Sequence, residues 1–417
     1  MTSTHVLSLN MTEGENERPF STPFILKKEG IFTMEKSKQI PDPIRGEKGA
    51  KTKIPHNIER DRQNPDMLAP PETDHGTVSN MKFSFSDVHN RLENGGYARE
   101  VTVRELPISD KLASVNMRLK PGAIRELHWH KEAEWAYVIY GSARITAVDQ
   151  DGRNFIEDVK AGDLWYFPSG IPHSLQGLED GCEFILVFDN GSFSENSTFQ
   201  VTDWLAHTPD DVIAGNFGIS EEVIASLPSK EKYIFQKTIP GLLEKDKVDS
   251  PNGTVPESFS YKLLEQEPIV SNGGKVWIAD STNFKASKTI AAALVEVEPG
   301  GMRELHWHPN TDEWQYYISG EAKMTVFAAD GHARTFDYQA GDVGYAPFAM
   351  GHYVQNTGDT PLRFLEIFKD DHYADVSLNQ WLALVPDELV REHLDVGDEF
   401  MQTLCKVKHP VVKFEEK

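Results

Sequence analysis

Residues that commonly bind metal ions occur in two similar sets along the sequence. Each set holds three histidines and one glutamate: His128, His130, Glu134 and His173 in the first, and His306, His308, Glu313 and His352 in the second. Three imidazoles and one carboxylate suit manganese or iron with open positions for substrate or dioxygen, whereas zinc more often has four protein ligands or cysteines. One such set could be ordinary core or surface histidines. Two sets with matching spacing predict two metal sites.

The spacing inside each set predicts strands that aim the histidines together. Residues i and i+2 of a strand face the same side, so His128 and His130 would point in one direction. Both copies carry the same six residues, Arg-Glu-Leu-His-Trp-His, at 125–130 and 303–308. An Asp-Gly turn follows each copy, at 151–152 and 330–331, and predicts a hairpin between two strands. The chain therefore contains two homologous β-domains, each followed by helical segments.

The rest of the sequence divides around this repeat. Residues 1–75 are rich in Pro, Lys, Glu and Asp and lack periodicity, which predicts an N-terminal extension and arm. We expect the first 33 residues to be disordered. The first domain spans 76–235 and the second 256–417, and the Pro- and Gly-containing stretch between them is a linker.

Charge and composition exclude several kinds of partner. The 417 residues include 42 Lys plus Arg and 65 Asp plus Glu, a formal net charge of −23. This charge repels nucleic acid and anionic membranes, so neither is a predicted partner. It also repels a small anionic substrate, which would need a local positive site. No apolar run is long enough to cross a bilayer, and no classical secretory signal is visible, so we expect a cytoplasmic protein.

The motif spacing resembles that of the cupin family. The first copy resembles the two cupin motifs over 122–141 and 162–173, and the second copy resembles them over 300–320 and 341–356. The resemblance implies a mainly β fold of two tandem cupin barrels (double-stranded β-helix, or jelly-roll) with appended short helices. Two positions depart from the motifs, Gly177 in place of asparagine and Ala349 in place of glycine, and neither is a ligand.

A narrower resemblance rests on a five-residue segment after the first barrel. The segment consists of Ser194, Glu195, Asn196, Ser197 and Thr198, and it resembles the lid of bacterial bicupin oxalate decarboxylases. The similarity to these proteins extends from about Met34 to the C-terminus. The resemblance implies decarboxylation of oxalate to formate and CO2, with two Mn(II) ions per chain and dioxygen as co-catalyst. It also implies a homo-oligomer, a hexamer built as a dimer of trimers.

The chemistry of oxalate gives two residues of the first domain expected roles. Oxalate is a small dianion, and Arg125 beside the metal would bind it. Strand alternation places Arg125 off the face of His128. A turn or bulge after Pro121-Gly122 could restore it to that face, and its placement beside the metal rests partly on the family resemblance. Direct cleavage of the C–C bond would leave an unstable carbanion, which the family is thought to avoid by removing an electron. A proton donor is then required for formate, and the resemblance implies that Glu195 in the lid is this acid.

The second domain resembles the family pattern through Arg303, Glu366 and Tyr373 but lacks the lid. Its metal could form a second catalytic centre or stabilise the fold, and we favour the structural role. Trp129 and Trp307 lie between the paired histidines, so alternation points them out of the barrels. They could pack against an arm or a neighbouring subunit, or they could pass electrons between metals across a subunit contact.

Other functions remain open on the sequence alone. An oxalate oxidase or another dioxygenase would produce peroxide, and the lid argues against it. A non-enzymatic bicupin of the seed-storage type commonly lacks the metal ligands, whereas this chain keeps both sets. A sugar-binding or sugar-isomerising cupin would need a larger pocket.

Overall fold

The computed structural model describes residues 40–414. The disorder expected for residues 1–33 lies outside this range. The described residues form two compact units, one that ends at Pro71 and one that begins at Glu72. In the first unit a two-stranded ribbon is followed by two short helices: β1 (Ile44–Arg45), β2 (Lys48–Gly49), α1 (Ile58–Gln63) and α2 (Pro65–Leu68). Arg45 donates hydrogen bonds to the Asp66 carboxylate and the Ala69 carbonyl, which ties the ribbon to α2.

The second unit contains both barrels, and its strands are antiparallel throughout the described pairings. The strands up to the end of the first barrel are β3 (Lys82–Ser84), β4 (Arg91–Glu93), β5 (Gly96–Val101), β6 (Ala113–Leu119), β7 (Ile124–Trp129), β8 (Glu134–Val148), β9 (Asn154–Lys160), β10 (Leu164–Phe167), β11 (His173–Phe188), β12 (Phe199–Gln200) and β13 (Ile234–Phe235). Those that follow are β14 (Ser260–Tyr261), β15 (Ile269–Ser271), β16 (Gly274–Ala279), β17 (Ala291–Val297), β18 (Gly301–Trp307), β19 (Glu313–Ser319), β20 (Glu321–Ala328), β21 (His332–Gln339), β22 (Asp342–Ala346), β23 (Gly351–Asn356), β24 (Leu362–Phe368), β25 (Val376–Ser377) and β26 (Val411–Lys413).

The helices of this unit follow the barrels and are short. They are α3 (Val201–Ala206), α4 (Asp210–Phe217), α5 (Glu221–Ile224), α6 (Leu243–Asp246), α7 (Leu378–Ala383), α8 (Asp387–Leu394) and α9 (Asp398–Met401). The predicted mainly β fold with two barrels and appended short helices is confirmed. None of the helices between residues 40 and 414 is long and apolar enough to cross a membrane.

The sheet order shows that the two barrels share strands. The first barrel is an eleven-stranded sheet whose main path runs β14-β10-β8-β11-β6-β5-β4, and the second combines a seven-stranded and a six-stranded sheet. Strand β3 precedes the first barrel but pairs with β22 of the second, while β14 pairs with β10 of the first. The division at 76–235 and 256–417 stays a prediction. The structure adds that a short strand from each side extends the other barrel's sheet.

Alternation along the strands places polar ligands on the same inward face as core residues. In β23, His352, Val354 and Asn356 are buried, whereas Tyr353 and Gln355 between them are partly exposed. The predicted hairpins are confirmed, since β8 pairs with β9 and β20 with β21 around the two Asp-Gly turns. Both turns use backbone with positive φ, 72° at Gly152 and 73° at Gly331, which glycine adopts without strain.

Candidate metal centres and lid

Three strands bring the first set of predicted ligands together. His128 lies near the end of β7, His130 follows it, Glu134 begins β8 and His173 begins β11. Because β11 pairs with both β7 and β8, with His173 opposite His128, the four side chains converge inside the barrel. Their ligand atoms lie within 4.8 Å of one another, and all four side chains are buried.

The second set converges in the same way. His306 lies on β18, His308 follows it, Glu313 begins β19 and His352 is on β23, opposite His306. These ligand atoms also lie within 4.8 Å of one another, and the residues are buried. The structure therefore assembles both sets that the sequence indicated, and their role as metal ligands stays a prediction.

Hydrogen bonds to the backbone orient all six imidazoles in the same sense. Each Nδ1 lies 2.6–2.9 Å from a carbonyl oxygen. The acceptors for His128, His130, His173, His306, His308 and His352 are the carbonyls of Glu126, Glu132, Ile171, Glu304, Ala374 and Met350. A carbonyl only accepts, so Nδ1 carries the proton and the Nε2 lone pair faces the centre of the set. Metal-binding histidines are commonly held in this way.

The inward-facing atoms fit a divalent cation. Within residues 40–414, the buried Nε2 atoms of His173 and His306 have no hydrogen-bond partner. Glu134 Oε2 lies 3.2 Å from His130 Nε2 and 3.4 Å from His173 Nε2, so the carboxylate and the imidazoles face one point. Buried polar atoms without partners are costly, and a shared cation would satisfy them together.

Electrostatics favour the protonation states that bind a metal. Burial, reinforced by the nearby charge of Arg125, lowers the pKa of His128 well below its usual value, so the ring stays neutral. Burial opposes ionisation of Glu134, but His173 and His130 outweigh it and lower the pKa of the carboxyl group. Burial likewise lowers the pKa of His173, so the first set offers neutral imidazoles at His128 and His173 and an ionised carboxylate at Glu134.

The second oxygen of each glutamate is held by a residue that the sequence analysis missed. Trp165 Nε1 donates to Glu134 Oε1 at 2.8 Å, and Gln315 Nε2 donates to Glu313 Oε1 at 2.7 Å. In both sets this leaves Oε2 facing the histidines. Gln315 could have been found, since it lies two residues after Glu313 on the same strand face. Trp165 lies on another strand, 31 residues from Glu134, and no local sequence pattern indicates this contact.

A bulge in β7 brings Arg125 towards the first set. His128 lies opposite His173 and Arg125 opposite Leu175, so three steps on β7 match two on β11. This irregularity lies between Arg125 and His128, after Pro121-Gly122. The guanidinium is 1% exposed, donates to Gln200 at 3.1 Å and to Glu195 at 3.2 Å, and keeps a buried Nε without a partner within the described chain.

The predicted lid is one short turn held by polar contacts. Glu195–Ser197 forms the turn, the Ser194 hydroxyl accepts the Asn196 N–H, and none of residues 194–198 is buried. Glu195 reaches Arg125 with its carboxylate, and its backbone N–H donates to Glu100 at 3.0 Å. The structure therefore joins the two predicted catalytic residues directly.

The second barrel surrounds its arginine more fully. Arg303 donates to Glu366 at 3.0 Å, to the Tyr373 hydroxyl at 2.8 Å and to Asp375 at 2.6 Å. The three predicted residues Arg303, Glu366 and Tyr373 thus meet, and Asp375 is an addition that the sequence analysis missed. Arg303 and then Lys408 outweigh the effect of burial and lower the pKa of Asp375 to about 2, so this carboxylate stays charged.

The tryptophans between the paired histidines pack against other aromatic rings of their own chain. Trp129 stacks on Phe199 at 5.5 Å and meets the edge of Trp204, which is 63% exposed. Trp307 meets Trp381 in the same edge-on manner at 5.6 Å. The predicted outward direction fits these contacts. The proposed electron transfer across a subunit contact stays a prediction.

Comparison with known proteins agrees with this architecture. The cupin family model matches residues 84–225 and 261–402. Oxalate decarboxylase OxdC of Bacillus subtilis is 77% identical over 380 residues, 91% of this chain and 99% of the relative. A probable oxalate decarboxylase of Arthroderma benhamiae is 43% identical over 85% of this chain and 89% of its own length.

A solved structure agrees as well. It comes from a study of the EPR of the Mn(II) centres in Bacillus subtilis oxalate decarboxylase, and it matches with a TM-score of 0.90 and 77% identity. The match covers 90% of this chain and 100% of the solved chain. Since both the family model and these relatives span most of the sequence, the chain belongs to the cupin family and, within it, to the bicupin oxalate decarboxylases.

Proposed function

We propose that this protein decarboxylates oxalate to formate and CO2 at the first barrel, with Mn(II) held by each of the two ligand sets. One observation carries the proposal: a buried set of three histidines and a glutamate lies beside a buried arginine, and that arginine contacts the lid glutamate. The relatives named as oxalate decarboxylases support the choice of substrate. The Mn(II) centres named for the Bacillus subtilis enzyme support the choice of metal.

Arg125 supplies the local positive charge that an anionic substrate needs. The chain as a whole carries −23, so oxalate gains nothing from long-range attraction. The Nε–H of Arg125 is buried and unpaired within residues 40–414, which leaves a donor for one carboxylate of oxalate. The Glu195 carboxylate also accepts a hydrogen bond from this guanidinium, so movement of the lid would let oxalate replace the glutamate there.

The reaction consumes one proton for each oxalate and involves no net oxidation. Oxalate and a proton become CO2 and formate, and the proton ends on the carbon that keeps its carboxylate. Manganese together with dioxygen would supply the one-electron chemistry that avoids a carbanion. Glu195 would then deliver the proton, and the lid to which it belongs would keep water away from the bound substrate.

The second barrel is proposed to hold a supporting metal. Its Arg303 already donates to two carboxylates, a tyrosine hydroxyl and the Pro410 carbonyl, so fewer donors are left for an anion than at Arg125. Metal bound only by the folded state would stabilise this barrel.

Replacing Glu195 by glutamine tests the proposed acid. Glu195→Gln keeps the size of the side chain but cannot deliver the proton, so formate production should fall about 100-fold or more while peroxide per oxalate rises. Formate and peroxide are counted together on protein with verified manganese content. Glu179→Gln, an exposed glutamate of the same barrel, is the control and should behave like the unchanged protein. Full formate production by Glu195→Gln would contradict the role of Glu195.

A further inference from the structure

We propose that Tyr233 latches the lid, because its hydroxyl holds the Glu195 carboxylate against Arg125. This makes Tyr233 a positioning residue for the proposed proton donor, and the inference rests on the function proposed for Glu195. Tyr233 lies outside both cupin motifs and outside the lid, just before β13. Its role would be to set where the lid rests and how the carboxylate is turned.

The hydroxyl of Tyr233 meets the same oxygen that Arg125 binds. It donates to Glu195 Oε2 at 2.7 Å, and Arg125 Nη2 donates to that oxygen at 3.2 Å. The tyrosine is only 1% exposed, and burial followed by the charge of Glu195 raises its pKa well above the usual value. The hydroxyl therefore keeps its proton and acts as the donor in this contact.

Two guanidinium groups hold the ring. The Arg91 Cζ lies 3.5 Å from the ring centroid and the Arg125 Cζ lies 4.3 Å from it. Arg91 is held in turn by Glu93 and Glu231. Cations near an aromatic face are attracted to it, so these contacts limit the directions in which the hydroxyl can point.

The backbone of Tyr233 is held in an unusual conformation. Its φ is 54°, in the left-handed region that is strained for a residue with a side chain. Such a conformation persists when its surroundings impose it. Glu126 does so, since its Oε2 accepts the N–H groups of Lys232 at 2.7 Å and Tyr233 at 2.8 Å.

The same glutamate also holds the chain beyond the lid. Glu126 Oε1 accepts the Thr202 N–H at 2.9 Å and the Thr202 hydroxyl. Glu126 therefore fixes both Tyr233 and the segment that follows the lid. Its counterpart Glu304 accepts from Ser377 at 2.5 Å, and its other oxygen has no partner within the described residues. Among the described residues, the glutamate that accepts four hydrogen bonds in this way is therefore the one in the barrel that carries the lid.

The latch matters because the lid has little else to hold it. None of residues 194–198 is buried, so few apolar contacts oppose opening. Glu195 is held at its backbone by Glu100 and at its carboxylate by Arg125 and Tyr233. Arg125 is also the group that oxalate would engage. Of the two contacts at the carboxylate, the one with Tyr233 would therefore remain when substrate replaces Glu195 at the arginine.

Removing only the hydroxyl tests the latch. Tyr233→Phe keeps the ring between the guanidinium groups, and it should speed hydrogen–deuterium exchange of residues 194–198 about fivefold in the manganese-loaded protein, the effect of one hydrogen bond. With oxalate, the peroxide-to-formate ratio should rise several-fold, because the acid is less well oriented. Tyr97→Phe, which removes a tyrosine–glutamate hydrogen bond elsewhere in the barrel, should change neither value.

Unchanged exchange and an unchanged product ratio in Tyr233→Phe would overturn the latch. If the unmodified protein forms no formate, the proposed function fails, and the exchange measurement still decides the latch alone. If Tyr233→Phe does not fold, Glu195→Ala replaces it. This change removes the contacts of the carboxylate with both Tyr233 and Arg125, so exchange of residues 194–198 should speed by at least the fivefold expected for Tyr233→Phe. Exchange in Glu195→Ala equal to that of the unmodified protein would also overturn the proposal.

Discussion

At the residue scale the two barrels differ in how each uses its arginine. Arg125 contacts one carboxylate, that of Glu195, whose side chain is 11% exposed and which begins the lid turn. Arg303 contacts two carboxylates, Glu366 and Asp375, whose side chains are 0% and 5% exposed. A buried cation with two anionic partners is already neutralised, whereas one with a single anionic partner can exchange that partner for an anionic ligand. This difference supports substrate binding at the first barrel.

Gln315 should increase the affinity of the second ligand set for its metal. Its amide holds Glu313 Oε1, and its own oxygen accepts the Tyr317 hydroxyl at 2.8 Å, which fixes the orientation of the amide. Gln315→Leu removes the donor and should weaken metal binding there about 10- to 100-fold. Dialysis against limiting manganese should then leave near one ion per chain. Gln266→Leu is the control, because its amide donates to the Ile278 carbonyl and to no metal ligand. Retention of both ions by Gln315→Leu would contradict this prediction.

The two cysteines should differ in reactivity. Burial raises the pKa of Cys182 to about 12, so the thiol stays neutral and unreactive at pH 8, while Cys405 is partly exposed. A thiol reagent should therefore modify one cysteine in the native protein and both in denaturant. The raised pKa means that reactivity of Cys182 should grow only as the pH rises far above neutrality. Rapid native modification of both thiols would contradict the buried position.

At the element scale, matching turns in the two barrels use different residues. Gly170 precedes β11 with a φ of 77°, and Ala349 precedes β23 with a φ of 61°. An added Cβ at Gly170 would meet no atom within 4 Å, so only the backbone conformation opposes a side chain there.

This pair gives a test of backbone strain alone. Gly170→Ala should lower the free energy of unfolding by about 1 kcal/mol, because alanine is strained at positive φ. The reciprocal change Ala349→Gly should not lower it. Urea unfolding of both variants measures the difference, and equal destabilisation by the two changes would argue against strain at these turns.

Local patterns in the sequence predicted the elements that carry the ligands but not their supports. Alternation placed His128 and His130 on one face, and the repeat identified the second set. The position of Tyr233 was not predicted, because its partner Glu126 is 107 residues away and no local pattern encodes that contact. The exchange of β3 was also missed, since a strand of three residues has no readable periodicity. Long-range hydrogen bonds, rather than local propensity, determine these features.

At the scale of the whole molecule, a buried ion pair fastens β3 to the second barrel. Lys82 Nζ lies 3.0 Å from Asp342 Oδ2, and the side chains are 7% and 1% exposed. Lys82→Met would leave Asp342 buried without its cation and should lower the free energy of unfolding by about 3 kcal/mol. Lys111→Met, which removes an exposed pair with Asp110, should cost less than about 0.5 kcal/mol.

The double change separates the ion pair from packing. Lys82→Met combined with Asp342→Asn removes both charges and should recover part of the lost stability. Urea unfolding followed by circular dichroism provides the comparison. If Lys82→Met matches Lys111→Met, the strand exchange contributes little to stability.

The central claim is that the first barrel converts oxalate to formate with a proton supplied by the lid. The most direct measurement incubates manganese-loaded protein with oxalate at mildly acidic pH under air and counts formate and hydrogen peroxide together. We expect close to one formate per oxalate and little peroxide. Peroxide with little formate would make the protein an oxidase, and neither product at verified metal content would contradict oxalate as the substrate.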